Sequence, residues 1–290
     1  MFGLNISSAF NSAVTIYILI PFIIIPQLLL AGVVVKFDKL NPLMAEQGGV
    51  PAVGECMASR WAYEALAVNQ FKDNKYEKNF YRYDKVVSIA SYKTNYWIQK
   101  IEEILNRIAA EQSDASKKDK TIKDLNLVKS ELLKEQVFLR NKYKFKDIDK
   151  LNPKDFTTDV NKSVRDFLQI LREHYVNKSN KYRDEKDLLV QSMIKDSVSQ
   201  KKYYELQDNY TNEILSTIMK NGNDMGLKCL EVDGKLIQRI DPIYLDPTDS
   251  NIGRAHFLAP TKKFLGHLYP TFWFNLTVIW LMIKFTVISF

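Results

Sequence analysis

The sequence predicts a mainly α-helical protein in which two transmembrane helices flank a re-entrant or interfacial helix and a helical domain with a small β-hairpin. Three observations predict this fold class. Residues 13–35 form an uncharged apolar run, and residues 269–290 form a second apolar run. The residues between them are rich in Lys, Asn, Tyr, Asp and Glu, with apolar residues at helical spacing.

The charge balance argues against a nucleic-acid partner. The chain of 290 residues carries 41 Lys and Arg against 34 Asp and Glu, a formal net charge of +7. Charges of both signs are interleaved along the chain, whereas nucleic-acid-binding proteins concentrate basic residues on one face or helix. We therefore expect a lipid bilayer, and no nucleic acid, among the partners.

The first predicted span covers residues 1–36. An uncharged helix over 13–35 would cover roughly 35 Å, enough to cross the hydrocarbon core. A cleaved signal peptide fits poorly, because no basic residue precedes the run and the run is too long. Pro21 and Pro26 each remove a backbone donor, so the helix should bend or break near its middle. Such a span needs companion helices to satisfy the freed carbonyl groups.

The second predicted span covers residues 269–290. Tyr269, Phe272 and Trp273 stand where an aromatic belt would lie at the membrane interface. Lys284 lies deep in the run, and we expect it to extend its ammonium group toward the far interface. Because the sequence opens into one span and stops within the other, we expect this chain to be a fragment of a longer polypeptide.

Residues 37–75 are predicted to form an exit loop and an interfacial or re-entrant helix. Arg60 and Glu64 are four residues apart and can pair on one helix face. Ser59 and Gln70 fall on the same polar side. An apolar stripe at helical spacing is formed by Met57, Ala58, Trp61, Ala62, Ala65 and Leu66.

Residues 76–268 are predicted to form the helical domain. A helical hairpin is indicated by two apolar faces separated by the polar run 113–120. Two further helices are expected at 158–176 and 181–220, and a β-hairpin should turn at Asp233-Gly234. The first face consists of Trp97, Ile101, Ile104, Leu105 and Ile108, and the second of Ile122, Leu125, Val128, Leu132 and Leu139.

No arrangement of residues in the sequence predicts an enzyme. The serine hydrolase pattern G-x-S-x-G and the zinc pattern H-E-x-x-H are both missing. Asp184 and Glu185 are adjacent and would point to different helix faces. Cys56 and Cys229 lie in very different surroundings, which favours two thiols over a disulfide bond.

Five stretches of the sequence resemble the membrane part of ABC exporters of the G (eye-pigment) subfamily. They read GLNISSAFNS, IPFIIIPQLLLAGVVVKFDKLNP and GECMASRWAYEALAVNQF near the start, and GRAHFLAPTK and TFWFNLTVIWLM near the end. The resemblance is closest to the long versions found in Bacteroidetes-type bacteria. It implies a proline-containing fifth span, a re-entrant segment, an extracytoplasmic domain and a final sixth span.

The same resemblance implies a bacterial inner-membrane location, a periplasmic central domain and a homodimer. In that family transport is driven by an ATP-binding domain, which this sequence does not contain. The only Gly-Lys pair is Gly234-Lys235, and Cys229 occupies the place of the first glycine of a phosphate loop. ATP and Mg²⁺ would therefore be bound elsewhere, by a domain of the same full-length polypeptide together with four further spans. The chain itself is expected to bind no cofactor or metal and to hydrolyse no ATP.

Two other functions remain open at this point. A bitopic sensor would have the same order of span, helical domain and span, whereas a membrane-tethered coiled-coil scaffold would explain the middle of the chain but not its ends. The prolines argue against a sensor because they would absorb piston or rotation signals, and a sensor does not need the re-entrant segment. The candidates for structural or transport roles are Pro21, Pro26, Gly32, Arg60, Trp61 and Glu64.

Overall fold

The structure, a computed structural model, is mainly helical and contains two small antiparallel hairpins. It describes residues 8–10, 12–29, 31–32, 37, 49–111, 115–221, 226–247 and 252–288. The predicted mainly-α fold class with a small β-hairpin is thereby confirmed at this coarse level. In chain order, the helices are α1 (Ala13–Leu29), α2 (Ala52–Glu55), α3 (Ala58–Lys72), α4 (Tyr81–Tyr92), α5 (Ile98–Glu111), α6 (Lys118–Phe138), α7 (Thr158–Met193), α8 (Ser197–Tyr210), α9 (Glu213–Met219) and α10 (Thr271–Ile288).

The strands form two hairpins of four-residue strands. Strand β1 (Cys229–Val232) pairs with β2 (Lys235–Gln238), so that Val232 faces Lys235 across the turn. Strand β3 (Thr261–Phe264) pairs with β4 (His267–Pro270). The first hairpin turns at Asp233-Gly234, as the sequence predicts.

The second hairpin was not predicted. It includes Tyr269 and Pro270, which the sequence assigned to the final span, so the last helix begins at Thr271 instead. Its first turn is fixed by Thr271, whose hydroxyl donates a 2.6 Å hydrogen bond to the carbonyl of Ala259. The turn residues Leu265-Gly266 are not a usual hairpin signal, which explains why the sequence pattern did not reveal it.

The chain divides into two compact units. The first contains Met1–Asn79, Leu206–Asn223 and Asp241–Phe290, and the second contains Phe80–Glu205 and Asp224–Ile240. In the first unit, α3 packs against α10 and against α9. An edge-to-face contact between Phe71 and Tyr244, with ring centroids 6.2 Å apart, adds to this packing.

The second unit has its core between α4, α5, α6 and α7. Helices α5 and α6 form the predicted helical hairpin, and its apolar faces are buried except for Ile122, which is exposed, and Leu139, which is partly buried just after α6. Hairpin β1–β2 contacts α6. Arg107 of α5 holds it through paired hydrogen bonds to Asp124 of α6 (2.6 and 2.7 Å) and to Glu231 of β1 (2.9 and 3.3 Å).

A π-helical turn, Lys93–Trp97, joins α4 to α5 and places polar groups in the second core. Trp97 donates a 3.1 Å hydrogen bond from its indole nitrogen to the buried Glu131. Glu135, also buried, accepts hydrogen bonds from Lys93 and Tyr175. Every one of these carboxylates is thus compensated by a donor, as buried charges require.

Helix α7 differs from the prediction. It continues to Met193, whereas the sequence predicted an end at Val176 and a new helix over 181–220. Tyr175, just before the predicted break, and Ser179, within it, are both buried, and packing against α4 keeps this polar stretch helical. The chain interrupts the predicted second helix at 194–196 and 211–212. Asp196 and Ser199 exchange hydrogen bonds at the start of α8, as in a capping box.

Helix α1 is continuous from Ala13 to Leu29 through Pro21 and Pro26, so of the predicted bend or break the break is not observed. The helix survives because each proline removes only one backbone hydrogen bond, to the carbonyl four residues earlier. Residues 1–7, 11, 30 and 33–36 of that predicted span, and residues 38–48 of the predicted exit loop, lie outside the described residues. Within the part of the chain that the structure describes, no helix meets both the length and the apolarity needed to cross a membrane.

Candidate functional site

The candidate site is a group of buried charged and polar side chains around α3, which we call the α3 polar cluster. It consists of Glu55, Arg60, Trp61, Glu64, Lys262 and Asn275. Arg60, Glu64, Lys262 and Asn275 are fully buried. All six residues belong to the first unit.

The prediction of which side of α3 is buried is therefore partly wrong. Arg60 and Glu64 were expected on the polar side, yet they are among the most buried residues of the helix. Leu66, assigned to the apolar stripe, is 63% exposed. The reason is that α10 and the segment before it supply charged and amide partners, so the polar side of α3 faces protein.

Glu64 is the centre of the cluster and its carboxylate has partners on both oxygens. Oε1 accepts a 2.7 Å hydrogen bond from Lys262 Nζ and a 3.0 Å hydrogen bond from the backbone N–H of Leu258. Oε2 accepts a 2.9 Å hydrogen bond from Asn275 Nδ2 and lies 3.5 Å from Arg60 Nη2. One side chain thus connects α3 with β3, with the segment before it and with α10.

Arg60 lies between two carboxylates and an aromatic ring. Its Nη1 is 3.1 Å from Glu55 Oε2, and its guanidinium carbon lies 4.0 Å from the centroid of the Trp61 ring. A cation over an indole face is favourable, more so when desolvated. Its nitrogens nevertheless make no well-directed hydrogen bond within the structure. Arg60 is held by charge attraction and stacking, which tolerate small changes of geometry.

Trp61 and Asn275 complete the packing of α3 on α10. Trp61 donates a 2.8 Å hydrogen bond from Nε1 to the carbonyl of Glu55, and its own carbonyl accepts a 3.1 Å hydrogen bond from Asn275 Nδ2. Asn275 therefore binds both the backbone and the carboxylate of α3. An aromatic contact between Trp61 and Phe274 (6.3 Å) lies beside it.

The charges of the cluster shift one another's pKa values. Burial by itself would raise the pKa of Glu64, but the charges of Lys262 and Arg60 and the hydrogen bonds from Lys262 and Asn275 hold it below its ordinary value. Burial lowers the pKa of Lys262, against the attraction of Glu64. Burial also raises the pKa of Glu55, although Arg60 and Lys262 oppose this. Glu64 is consequently the fixed negative charge that the two cations share.

Gly32 occupies a position that only glycine fits. Its φ of +78° is in the left-handed region, and a Cβ atom there would lie 2.7 Å from the rings of both Phe37 and Phe257. These rings make a T-shaped contact at 4.9 Å, and Phe257 stacks on Tyr63 of α3 at 6.1 Å. Gly32 thus lets the chain after α1 approach the aromatic residues that cover α3.

The two prolines lie apart from the cluster, on α1. Pro21 is exposed and Pro26 is partly buried. The link between α1 and α3 comes instead from Ser59, whose hydroxyl donates a 3.1 Å hydrogen bond to the carbonyl of Gln27. Gln27 is in the last turn of α1, where carbonyls lack helical partners, so Ser59 caps this helix.

Three residues of the cluster were not predicted. Lys262 was read only as part of a stretch leading into the last span, and Asn275 as one polar residue within that span. Asn275 gave a usable signal, since a polar amide among apolar helix residues usually has a partner in the fold. Glu55 lies at the end of the short helix α2 and gave no such signal.

The cluster has the chemistry of a clamp, because both oxygens of Glu64 accept hydrogen bonds from other parts of the first unit. Among the described residues, no group of three His, Cys, Asp or Glu side chains could hold a metal ion. Cys56 and Cys229 are both free thiols, and Cys229 Sγ accepts a 3.2 Å hydrogen bond from Tyr92.

Comparison of this chain with protein-family models, with curated proteins and with solved structures gave no match.

Proposed function

We propose that this chain is the membrane-spanning portion of an ATP-driven ABC exporter, with the two apolar runs of the sequence that contain α1 and α10 in the bilayer. It would form part of the translocation path and the extracytoplasmic cap of that path. The observation that carries the proposal is the α3 polar cluster, in which the buried carboxylate of Glu64 on α3 accepts hydrogen bonds from Lys262 of β3 and from Asn275 of α10.

The surfaces of α1 and α10 support the membrane part of the proposal. Large apolar side chains are exposed along both helices, and contiguous exposed apolar surface marks contact with lipid or with other helices. Companion helices would also satisfy the carbonyls freed by Pro21 and Pro26. The exposed side chains include Tyr17, Ile18, Phe22, Ile25 and Leu28 of α1, and Trp273, Trp280, Leu281 and Phe285 of α10.

Two properties of the cluster support the transport part of the proposal. It connects α3 with α10, and burying its charged side chains requires free energy. Burying Arg60, Glu64 and Lys262 together costs several kcal/mol per ion in desolvation, which their mutual attraction offsets only with good geometry. A simple tether or spacer gains nothing from such an arrangement. A transporter gains a rigid joint between α3 and α10, so that both helices move as one wall of the path when the pump changes conformation.

In this proposal ATP and Mg²⁺ are bound outside this chain. An ATP-binding domain of the same full-length polypeptide would supply the energy, and two copies would form the functional homodimer. The protein would reside in a bacterial inner membrane with its helical domain in the periplasm. The second unit, built on the 36-residue helix α7, would be the cap.

A sensor would require movement of the helices that the α3 polar cluster connects. A signal that passes along a span requires helices that slide or rotate, and the hydrogen bonds that Glu64 accepts from Lys262 of β3 and Asn275 of α10 oppose such movement. No observation favours the scaffold over the exporter. The two alternatives are therefore outcomes of the test below.

The test is to read the continuous coding sequence around this chain and then assay the encoded protein. We expect an in-frame phosphate loop and signature motif together with four more spans. The full polypeptide in lipid nanodiscs should hydrolyse ATP in a vanadate-sensitive manner, and Glu64→Gln should weaken its coupling to transport. A coding sequence without an ATP-binding domain, joined to a kinase or signalling helix, would replace the exporter with the sensor.

A further inference from the structure

The two hairpins described above have the same turn geometry, but the first turn residue is polar in one (Asp233) and apolar in the other (Leu265). The turn residues Asp233 and Gly234 have φ values of 47° and 72°, and Leu265 and Gly266 have 49° and 84°. Two-residue turns with positive φ at both positions strongly favour Asn, Asp or Gly at the first position. Leucine pays a steric penalty in this left-handed conformation. Leu265 is nevertheless there, and it is 75% exposed.

The residues around Leu265 extend this apolar surface. Phe264, Leu268 and Tyr269 are all exposed, and Ile252, which forms a β-bridge with Phe264, is 71% exposed. A cluster of five large apolar residues at the end of a two-stranded hairpin would be unfavourable in water. Exposed apolar patches of this kind mark contact surfaces.

The β3–β4 hairpin lies directly before α10 in the chain and packs on its first turns. Strand β4 ends at Pro270 and α10 begins at Thr271, so the tip is part of the entry to the apolar helix. The Phe264 ring lies 6.1 Å from that of Phe274 of α10, which packs the hairpin onto the first turns of the helix. Trp273, in the same first turn, is also exposed.

We propose that the β3–β4 tip (Phe264, Leu265, Leu268 and Tyr269) inserts into the boundary between headgroups and acyl chains where α10 enters the bilayer. The lipid surface compensates both the exposed side chains and the strained leucine. Tyr269, with an apolar ring and a polar hydroxyl, suits this boundary. The inference rests on the proposed function in one respect, the assignment of α10 to the membrane.

The test compares three spin-labelled cysteine variants of the full chain, made in a Cys56→Ser and Cys229→Ala background and reconstituted in phosphatidylethanolamine–phosphatidylglycerol vesicles. Leu265→Cys reports on the tip. Asp233→Cys is the matched control at the same turn position of the other hairpin. Phe285→Cys reports on α10 itself. Collision with apolar oxygen and with a water-soluble nickel complex measures the surroundings of each label.

We expect the labels at Leu265 and Phe285 to collide with oxygen and to be shielded from nickel, with the opposite ratio at Asp233. If Phe285 is in lipid while Leu265 is open to nickel, the tip is aqueous and the inference is overturned, although α10 remains a span. Shielding of Leu265 from both reagents would place it against protein and also overturn it. If Phe285 itself is open to nickel, the proposed membrane assignment fails, and the inference with it.

Discussion

The carboxylate of Glu64 accepts a 2.7 Å hydrogen bond from the ammonium group of Lys262, and neither side chain is exposed to solvent. These residues lie on α3 and β3, so one buried ion pair joins two distant parts of the sequence. Because both charges are removed from water, the free energy of unfolding should depend strongly on keeping them together. The predictions begin from this pair.

Glu64 and Lys262 should be energetically coupled. Glu64→Gln should lower the free energy of unfolding by about 3–5 kcal/mol, because it leaves Lys262 buried without its hydrogen-bonded carboxylate. Lys262→Met should cost less, because Arg60 and Asn275 still compensate Glu64. The double variant should lose clearly less than the sum of the two. Chemical unfolding in detergent, followed by circular dichroism, measures all three values.

The matched control for this cycle is Lys100→Met, which removes an exposed ion pair with Glu103. That change should cost less than about 1 kcal/mol. Simple additivity of the two single variants at Glu64 and Lys262 would show that the pair is not coupled, against the geometry described here.

Acid should destabilise the wild-type protein partly through Glu64. Its pKa in the fold lies below the ordinary value of 4.5, so this group stabilises the fold fully above pH 4.5. The stabilisation is lost as the pH falls through the lower, folded-state pKa, because the unfolded chain then binds the proton more readily. Thermal unfolding midpoints measured across this acid range should fall more steeply for wild type than for Glu64→Gln. Parallel curves would exclude this role of Glu64.

Gly32→Ala should destabilise the protein far more than Gly266→Ala. Both glycines have a positive φ, so both variants bear the left-handed strain of about 1–2 kcal/mol. Only at Gly32 would the new Cβ meet two aromatic rings at 2.7 Å, which adds about 1–3 kcal/mol of overpacking. Thermal unfolding of both variants separates the two effects. Equal losses would mean that Phe37 and Phe257 move aside without cost.

Arg107→Lys should loosen the β1–β2 hairpin although it keeps the positive charge. A lysine cannot reproduce the paired hydrogen bonds to Asp124 and Glu231, because its ammonium group has no planar fork. Hydrogen exchange of the amides in Cys229–Gln238 should become faster. Arg172→Lys, at a single 3.0 Å contact with Glu102, is the control and should leave these amides unchanged.

The sequence predicts those elements whose structure depends on residues close together in the chain, and it misses those that depend on tertiary contacts. The helical hairpin of α5 and α6 and the turn at Asp233-Gly234 follow from short-range periodicity and turn chemistry, and both were predicted. The continuation of α7 through Ser179 was not, since contact with α4 overrides weak local helix preference there. Leu265 breaks the usual turn preference, which hid the second hairpin.

The candidate site shows the same division. The spacing of Arg60 and Glu64 reveals that they can pair, but not that they are buried. Burial depends on Lys262 and Asn275, which lie about two hundred residues further along the chain. No periodicity in the sequence connects these positions, so only the tertiary structure brings them together.

The separation of 198 residues between Glu64 and Lys262 also sets an order of events during synthesis. At about 5–20 residues per second, a ribosome needs roughly 10–40 s to make the chain between them. During that interval Arg60 and Glu64 lack Lys262 and Asn275, while helices α4 to α7 are made and can pack on one another as they emerge. All residues of the second unit are therefore synthesised before the α3 polar cluster of the first unit can be completed.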